Sequence, residues 1–217
     1  MKNKPFLVVS YALPYRASGT PVVIRKFLEN FERDEVVLIG RPVLEREKVK
    51  NVRLNYPTLT IPTPPVGFRG ERLWRLVSIF LGLFTGLFAI VKFKPKAILA
   101  FYRDESSLMT GYLLHKISGL PLSSYFCDLY LENYPSGFYG KLAAWLQPRV
   151  FKESKQVFVL TEAMREYYRQ AYLVDALVLP HCNNDPVLTI PCQGEAHTPF
   201  RIAYLGTVNM DRILSLQ

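Results

Sequence analysis

An α/β fold, doubly wound around a mostly parallel sheet of Rossmann-like type, is predicted from three observations. The chain opens on an apolar strand run, a loop of small residues and a helical pattern. From residue 95 to 180, short apolar runs alternate with helical segments, which calls for parallel strands joined by right-handed crossovers. Composition is the third: 49% of the 217 residues are hydrophobic and 21% charged, which supplies a sizeable core and argues against disorder.

Residues 6–10 (Phe-Leu-Val-Val-Ser) are too short for a helix and rich enough in Val for a buried strand. The loop that follows carries Pro14 and Gly19 as punctuation, and Pro21 sits where a first helical turn tolerates it. Ser18 or Thr20 is the expected N-cap, with the helix running on through Phe27 and Phe31. In an open α/β sheet this is where a ligand sits, because the helix amino terminus offers free N–H groups to an anion. Neither G-x-G-x-x-G nor a P-loop lysine pattern is present, so Ser18-Gly19-Thr20 on its own reads equally as a turn and cap.

Residues 35–40 read as a second strand. Between 41 and 70 five prolines confine any extended pieces, such as 52–54 or 59–61, to edges and turns. The segment 71–91 is the most unusual. Sixteen residues from Leu76 to Val91 carry no charge, between Arg72 and Arg75 on one side and Lys92, Lys94 and Lys96 on the other. As a helix the uncharged part is roughly 24 Å long, short of the ~30 Å bilayer core. Ser78, Gly82 and Gly86 fall four apart on one face and would let another backbone approach closely. Three readings stay open: a helix buried against the sheet, with or without its outer side touching a membrane, a true span with Gly82-x-x-x-Gly86 as association face, or an isolated interfacial helix.

Strands are then expected at 97–101, 122–126, 156–160 and 176–180, and helices at 105–117, 139–151 and 163–172. Pro148 is expected to kink or end the second of these helices, and Thr161 to cap the third. Beyond Pro180 the pattern breaks: 181–199 is polar and Pro-punctuated, a linker by composition, and 200–206 begins a fresh strand.

With 27 Lys and Arg against 18 Asp and Glu, the net charge is +9. That favours an anionic partner, either a phosphorylated metabolite or a lipid surface. The basic residues are scattered and no recognised binding motif accompanies them, so nucleic acid is not the expected partner. Cys127, Cys182 and Cys192 are odd in number and contain no C-x-x-C, which fits neither a disulfide framework nor a zinc site and suits a reducing compartment. The amino terminus lacks the apolar core and cleavage site of a signal peptide, so a cytoplasmic location is expected.

With these residues placed, the chain resembles the amino-terminal half of a GT-B glycosyltransferase, most like family 4. Val157-Phe158-Val159-Leu160-Thr161-Glu162-Ala163-Met164 is similar to the family's strand ending in a Ser or Thr that caps a helix. Val178-Leu179-Pro180-His181-Cys182-Asn183-Asn184 resembles its interdomain turn, with His181 in place of the usual Asn. Arg201-Ile202-Ala203-Tyr204-Leu205-Gly206 resembles the first strand of its donor-binding domain. The resemblance therefore divides the chain into an acceptor-side domain (1–180), an interdomain linker (181–199) and the start of a donor-binding domain (200–217).

What the resemblance implies is transfer of a sugar to a lipid-linked or polysaccharide acceptor, and the hydrophobic helix with the basic charge adds the expectation of the inner face of a membrane with an anionic surface. A nucleotide-diphosphate sugar is then the co-substrate, and no further cofactor or metal is implied. Ser18, Gly19 and Thr20 would line the cleft near the donor diphosphate or the acceptor, with Arg16 and Arg103 as phosphate or acceptor contacts. In many members a His-Asp pair ends the strand that here is 122–126, but this chain reads Cys127-Asp128. Asp128 is thus the candidate base or acceptor ligand, with a turn-capping Asp as the alternative. Asp104, also at a strand's carboxyl end, is either a second ligand or the N-cap preceding Glu105. The main donor-binding groups of the family lie in its other domain, so residues 1–217 alone are expected to be inactive or nearly so, unless a separate chain supplies them. A non-catalytic binding subunit on the same fold is the competing expectation.

Overall fold

The computed structural model describes residues 4–14, 20–42, 56–63, 70–134 and 136–180. Arg16, Ser18 and Gly19, the extended piece at 52–54, His181, the linker and the second-domain strand lie outside the described residues.

In chain order the elements are β1 (Phe6–Ala12), α1 (Thr20–Leu28), β2 (Val36–Arg41), β3 (Thr58–Thr60), α2 (Glu71–Phe93), β4 (Ala97–Tyr102), α3 (Glu105–Ser118), β5 (Leu122–Phe126), α4 (Gly137–Glu153), β6 (Ser154–Val159), α5 (Glu162–Tyr172) and β7 (Leu177–Val178). The strands form one sheet in the order β3-β2-β1-β4-β5-β6-β7, and every pairing is parallel. The chain builds outward from β1 to β3, then returns to lay β4 on the other side of β1. The direction of winding reverses between β1 and β4, which is the topological switch point of a doubly wound sheet.

Strand residues alternate between two cores, because successive side chains point to opposite faces. Leu7, Val9, Val37, Ile39, Ile98, Ala100, Phe126 and Val159 share the core that includes α3 and α4, with α2 and α5 packed on it. Val8, Val36, Leu38, Leu99, Phe101 and Tyr125 face the other way, onto Ile24 and Leu28 of α1. Between 41 and 70 the described residues include one short strand, the three-residue β3, at the sheet edge.

Two local expectations are corrected. Helix α1 already includes Thr20, so Thr20 is the first helical residue and not the N-cap, and the helix ends at Leu28. Helix α4 continues five residues beyond Pro148 to Glu153. Proline there forfeits one backbone hydrogen bond. It sits on the solvent side, where the freed carbonyl of exposed Ala144 can be hydrated. Thr161 does cap α5, its Oγ1 accepting from the Met164 N–H at 3.2 Å.

Helix α2 packs on α3 through the small residues. A Cβ on Gly82 would lie 2.9 Å from Thr110 Oγ1, and one on Gly86 would collide with the Leu114 methyls. Ser78 donates to the Trp74 carbonyl (2.7 Å) and accepts from Arg41 of β2 (2.9 Å). The small-residue stripe is therefore an internal face, spent on α3 and β2. Deeper in the same stack, a Cβ on Gly111 of α3 would sit 2.6 Å from the Ala100 Cβ of β4. Backbone and methyl there cannot rotate aside, so α3 rides on the sheet at glycine distance. At the far end, Lys116 donates to Glu153 (2.9 Å), and the His115 Nδ1–H donates to the Leu120 carbonyl while its Nε2 lies 3.2 Å from Glu153. The Lys116 and His115 contacts hold the Glu153 carboxyl below its ordinary range. Their contribution is fully present above the ordinary carboxylate range and is lost as pH falls from there through the lowered folded value.

Gly111→Val is expected to lower the unfolding free energy by about 1–3 kcal/mol through overpacking, despite Val's slightly better helix propensity. Urea denaturation measures it, and an unchanged midpoint would contradict the close approach of α3 to β4.

Candidate functional site

At the carboxyl ends of the adjacent strands β4 and β5, two polar segments lie side by side: Arg103-Asp104-Glu105 after β4 and Cys127-Asp128 after β5, with β1 the other neighbour of β4. Tyr102 and Phe126 are register partners, so Arg103 and Cys127 leave the sheet at the same level.

The turn after β4 is built from buried carboxylates. Asp104 is the N-cap of α3: its Oδ1 accepts from the Ser107 N–H (3.1 Å), the Ser106 hydroxyl (2.8 Å) and the Ser107 hydroxyl (3.3 Å). Glu105 follows, 1% exposed, and is paired by Arg75 of α2 at 3.0 Å. Arg75 also lies over the Tyr139 ring, 5.2 Å from its centroid. An aromatic chain runs on from there, with Tyr139–Tyr134 at 5.9 Å, Tyr134–Tyr130 at 6.1 Å and Tyr130–Tyr102 at 4.5 Å between centroids. Burial pushes the Tyr102 and Tyr130 hydroxyls far up. For Tyr102 the neighbouring Tyr134, Tyr130, Asp128 and Glu105 add to this, and for Tyr130 Glu105, Tyr134 and Asp104 do. Both hydroxyls stay protonated donors. Among the described residues, Asp104 Oδ2, Glu105 Oε2 and the Tyr130 hydroxyl have no hydrogen-bond partner.

The tip of β5 is different in character. Cys127 is buried and its thiol is pushed up to about 12, by burial first and then by the Asp128 charge, with Arg103 opposing. That thiol is a neutral, weak donor and no nucleophile. Asp128 and Arg103 are exposed, and both lie close enough to act on Cys127 electrostatically. Three sequence candidates, Arg103, Asp104 and Asp128, therefore meet at the tips of β4 and β5. Asp104 is occupied as a cap with one oxygen to spare, while Arg103 and Asp128 face solvent. Thr20 opens α1 at the exit of β1, the neighbour of β4.

Sequence reasoning missed Glu105 and Arg75. They are thirty residues apart, and an acid in a first helical turn looks like ordinary dipole compensation. Glu132 turns out to be a clamp: its Oε1 accepts from the Tyr167 (2.7 Å) and Tyr172 (2.8 Å) hydroxyls of α5. Two hollows, of about 380 and 310 Å³, lie away from the strand tips. The first is beside the start of β6, around Lys155 and Asp175, and the second is an apolar space beneath α1.

No family model and no curated protein sequence matches the chain. Solved structures do match in fold. Sucrose-phosphate synthase from Thermosynechococcus elongatus aligns with a TM-score of 0.60 at 12% identity, over 82% of this chain and 48% of its own. The UDP-GlcNAc 2-epimerase of Methanocaldococcus jannaschii aligns at 0.51 and 14%, over 81% and 45%. A UDP-glucosyltransferase from Polygonum tinctorium capable of glucosylating indoxyl aligns at 0.51 and 13%, over 92% and 56%. The chain spans about half the length of the structures it matches, and what it shares with these GT-B neighbours is the α/β Rossmann-like fold.

Two outcomes follow from the site. Arg75→Ala strands a buried carboxylate and is expected to cost about 3 kcal/mol, with Arg75→Ala/Glu105→Gln recovering much of it; equal stabilities of single and double variants would refute the pairing. At pH 8 the Cys127 peptide is expected to alkylate with iodoacetamide at least about a hundredfold more slowly in the native chain than in urea, because so little thiolate is present. Comparable rates by peptide mass spectrometry would contradict the shift.

Proposed function

We propose that this chain provides the acceptor-side half of a GT-B glycosyltransferase of family 4 type, which moves a sugar from a nucleotide-sugar donor to a lipid-linked or saccharide acceptor. In this reading residues 1–180 are the acceptor-side domain, 181–199 the linker and 200–217 the start of the donor-binding domain. The enzyme works in the cytoplasm, peripheral to the inner face of the membrane, in the assembly of a glycan. The observation that carries the proposal is the sheet order with its switch point at β1/β4, crowned by Arg103, Asp104 and Asp128. Proteins named for sucrose-phosphate synthesis, UDP-GlcNAc epimerisation and UDP-glucosyl transfer share that fold.

The chemistry asks for three things. The donor diphosphate must be held, and its developing charge met by fixed donors. The N–H groups at the start of α1, the Ser18-Gly19-Thr20 segment and the Arg16 and Arg103 guanidiniums are of the right kind. The acceptor hydroxyl must lose its proton as its oxygen bonds to the anomeric carbon and the carbon–diphosphate bond breaks. Asp128, exposed at the tip of β5, is the base or acceptor ligand for this. In a retaining transfer the departing phosphate takes that proton, and Asp128 only orients the acceptor. Asp104 keeps its capping role, with Oδ2 buried and without a hydrogen-bond partner among the described residues. Cys127 favours a second reading, a non-catalytic binding subunit, since it stands where the family's histidine would be and stays a protonated thiol.

In transfer of a labelled nucleotide sugar by the intact protein, Asp128→Asn is expected to lower kcat roughly 10²- to 10⁴-fold if it is the base, with the melting temperature unchanged. Arg103→Ala is expected to raise the donor KM. Wild-type kcat in Asp128→Asn removes the base role, and absence of any transfer with donor and acceptor both bound supports the subunit.

A further inference from the structure

Helix α2 carries an apolar face that the protein does not use. Leu73, Leu76, Phe80, Phe84, Phe88 and Val91 are between 41% and 76% exposed. Their spacing of three and four residues gathers them into an arc of roughly 120°, running about 27 Å along the helix. Ser78, Ile79, Gly82, Gly86 and Ala89, on the opposite arc, are buried. By length and composition the segment Leu73–Phe93, of mean hydropathy 2.2, passes for a membrane span. Its inner face, however, is committed to α3 and β2 at glycine distance. To span a bilayer, α2 would have to abandon that packing. Only its outer half is available to lipid.

We propose that the outer face of α2 is a membrane-docking surface, lying flat in the headgroup–acyl boundary of an anionic bilayer. Charge selects this occupant. No acidic residue stands between Arg72 and Phe93, and exposed Lys92, Lys94 and Lys96 end the stripe. The Lys92 ammonium lies 5.4 Å from the Phe88 ring centre and 5.2 Å from that of Phe93. A lysine head held beside phenylalanine rings at the surface is the arrangement a phosphate headgroup layer over acyl chains requires. A second copy of the chain is a poor occupant. A parallel pairing of two α2 helices would set Lys92, Lys94 and Lys96 of one copy against those of the other.

The docked orientation has a consequence for the acceptor, which rests on the sugar-transfer reading as the docking itself does not. The amino end of α2 reaches the strand tips, where Arg75 pairs with Glu105 and lies over Tyr139. Exposed Phe138 extends the apolar surface beside that point. The stripe therefore runs from bilayer contact to the rim of the β4–β5 wall. The acceptor suited to it is an amphiphile whose tail stays in the membrane while its polar head meets Arg103 and Asp128.

The test is co-sedimentation of the full chain with phosphatidylglycerol–phosphatidylcholine vesicles and with pure phosphatidylcholine, without any nucleotide sugar. Binding to the anionic vesicles is expected. Phe80→Glu/Phe84→Glu and, separately, Lys92→Glu/Lys94→Glu/Lys96→Glu should each weaken it at least about tenfold, with wild-type circular dichroism. Wild-type chain left in the supernatant, equal binding to both vesicle types, or undiminished binding by both folded variants would overturn the proposal. So would a dimer in solution that Phe80→Glu/Phe84→Glu dissociates. Vesicle binding by a chain that transfers no sugar even when completed by a donor-binding domain would leave the docking surface standing and remove the transfer reading alone.

Discussion

The turn from β4 into α3 is the constraint on which the other layers depend. Asp104 caps the helix, Glu105 reaches sideways to Arg75 of α2, and six residues on Gly111 sits against Ala100. These three contacts set the axis, rotation and height of α3 over the sheet. Helix α2 then has one place to lie, because Gly82 and Gly86 accept Thr110 and Leu114 from α3. An Asp-to-Ala change at a cap costs on the order of 1 kcal/mol, whereas an orphaned buried carboxylate costs several times that. The Arg75–Glu105 pair is therefore the less replaceable of the two polar contacts.

This constraint also divides the carboxylates at the tips by role. Glu105 and Asp104 are inside the structure and tied to it, with three serine groups and one guanidinium as partners. Asp128 and Arg103 stand outside it on the neighbouring strand tips, where a ligand can meet them. Rigid support beneath and free groups above is what a positioning surface needs. The tyrosine row from Tyr139 to Tyr102 fills the space between α2, α4 and the strand tips. Its two innermost hydroxyls remain neutral, so it adds donors to the site without adding charge.

Much of the fold was legible in the chain, and the exceptions have physical reasons. Strands such as 97–102 and 122–126 announce themselves because a parallel sheet covered on both faces needs unbroken apolar runs. The parallel alternation followed from the helical spacing between them. Pro148 misleads because a proline's cost is one hydrogen bond, which the rest of a seventeen-residue helix outweighs when that side faces water. Asp104 could be read two ways, and the serines two and three residues on decide for the cap. Glu105 and Arg75 were invisible, since their partnership exists only once α2 lies across α3. Asp128 and Arg103 are candidates by resemblance and by strand ends, and the register of β4 on β5 sets them on neighbouring strand tips.

The central claim is that the tips of β1, β4 and β5 form one wall of a sugar-nucleotide cleft. A crystal structure of the intact protein with a bound UDP-sugar tests it most directly. The account predicts the diphosphate at the β1/β4 switch point, against the amino end of α1 and within reach of Arg103, with Asp128 facing the sugar. A UDP-sugar seated in the apolar hollow beneath α1, or beside Lys155 and Asp175 at the start of β6, would contradict it.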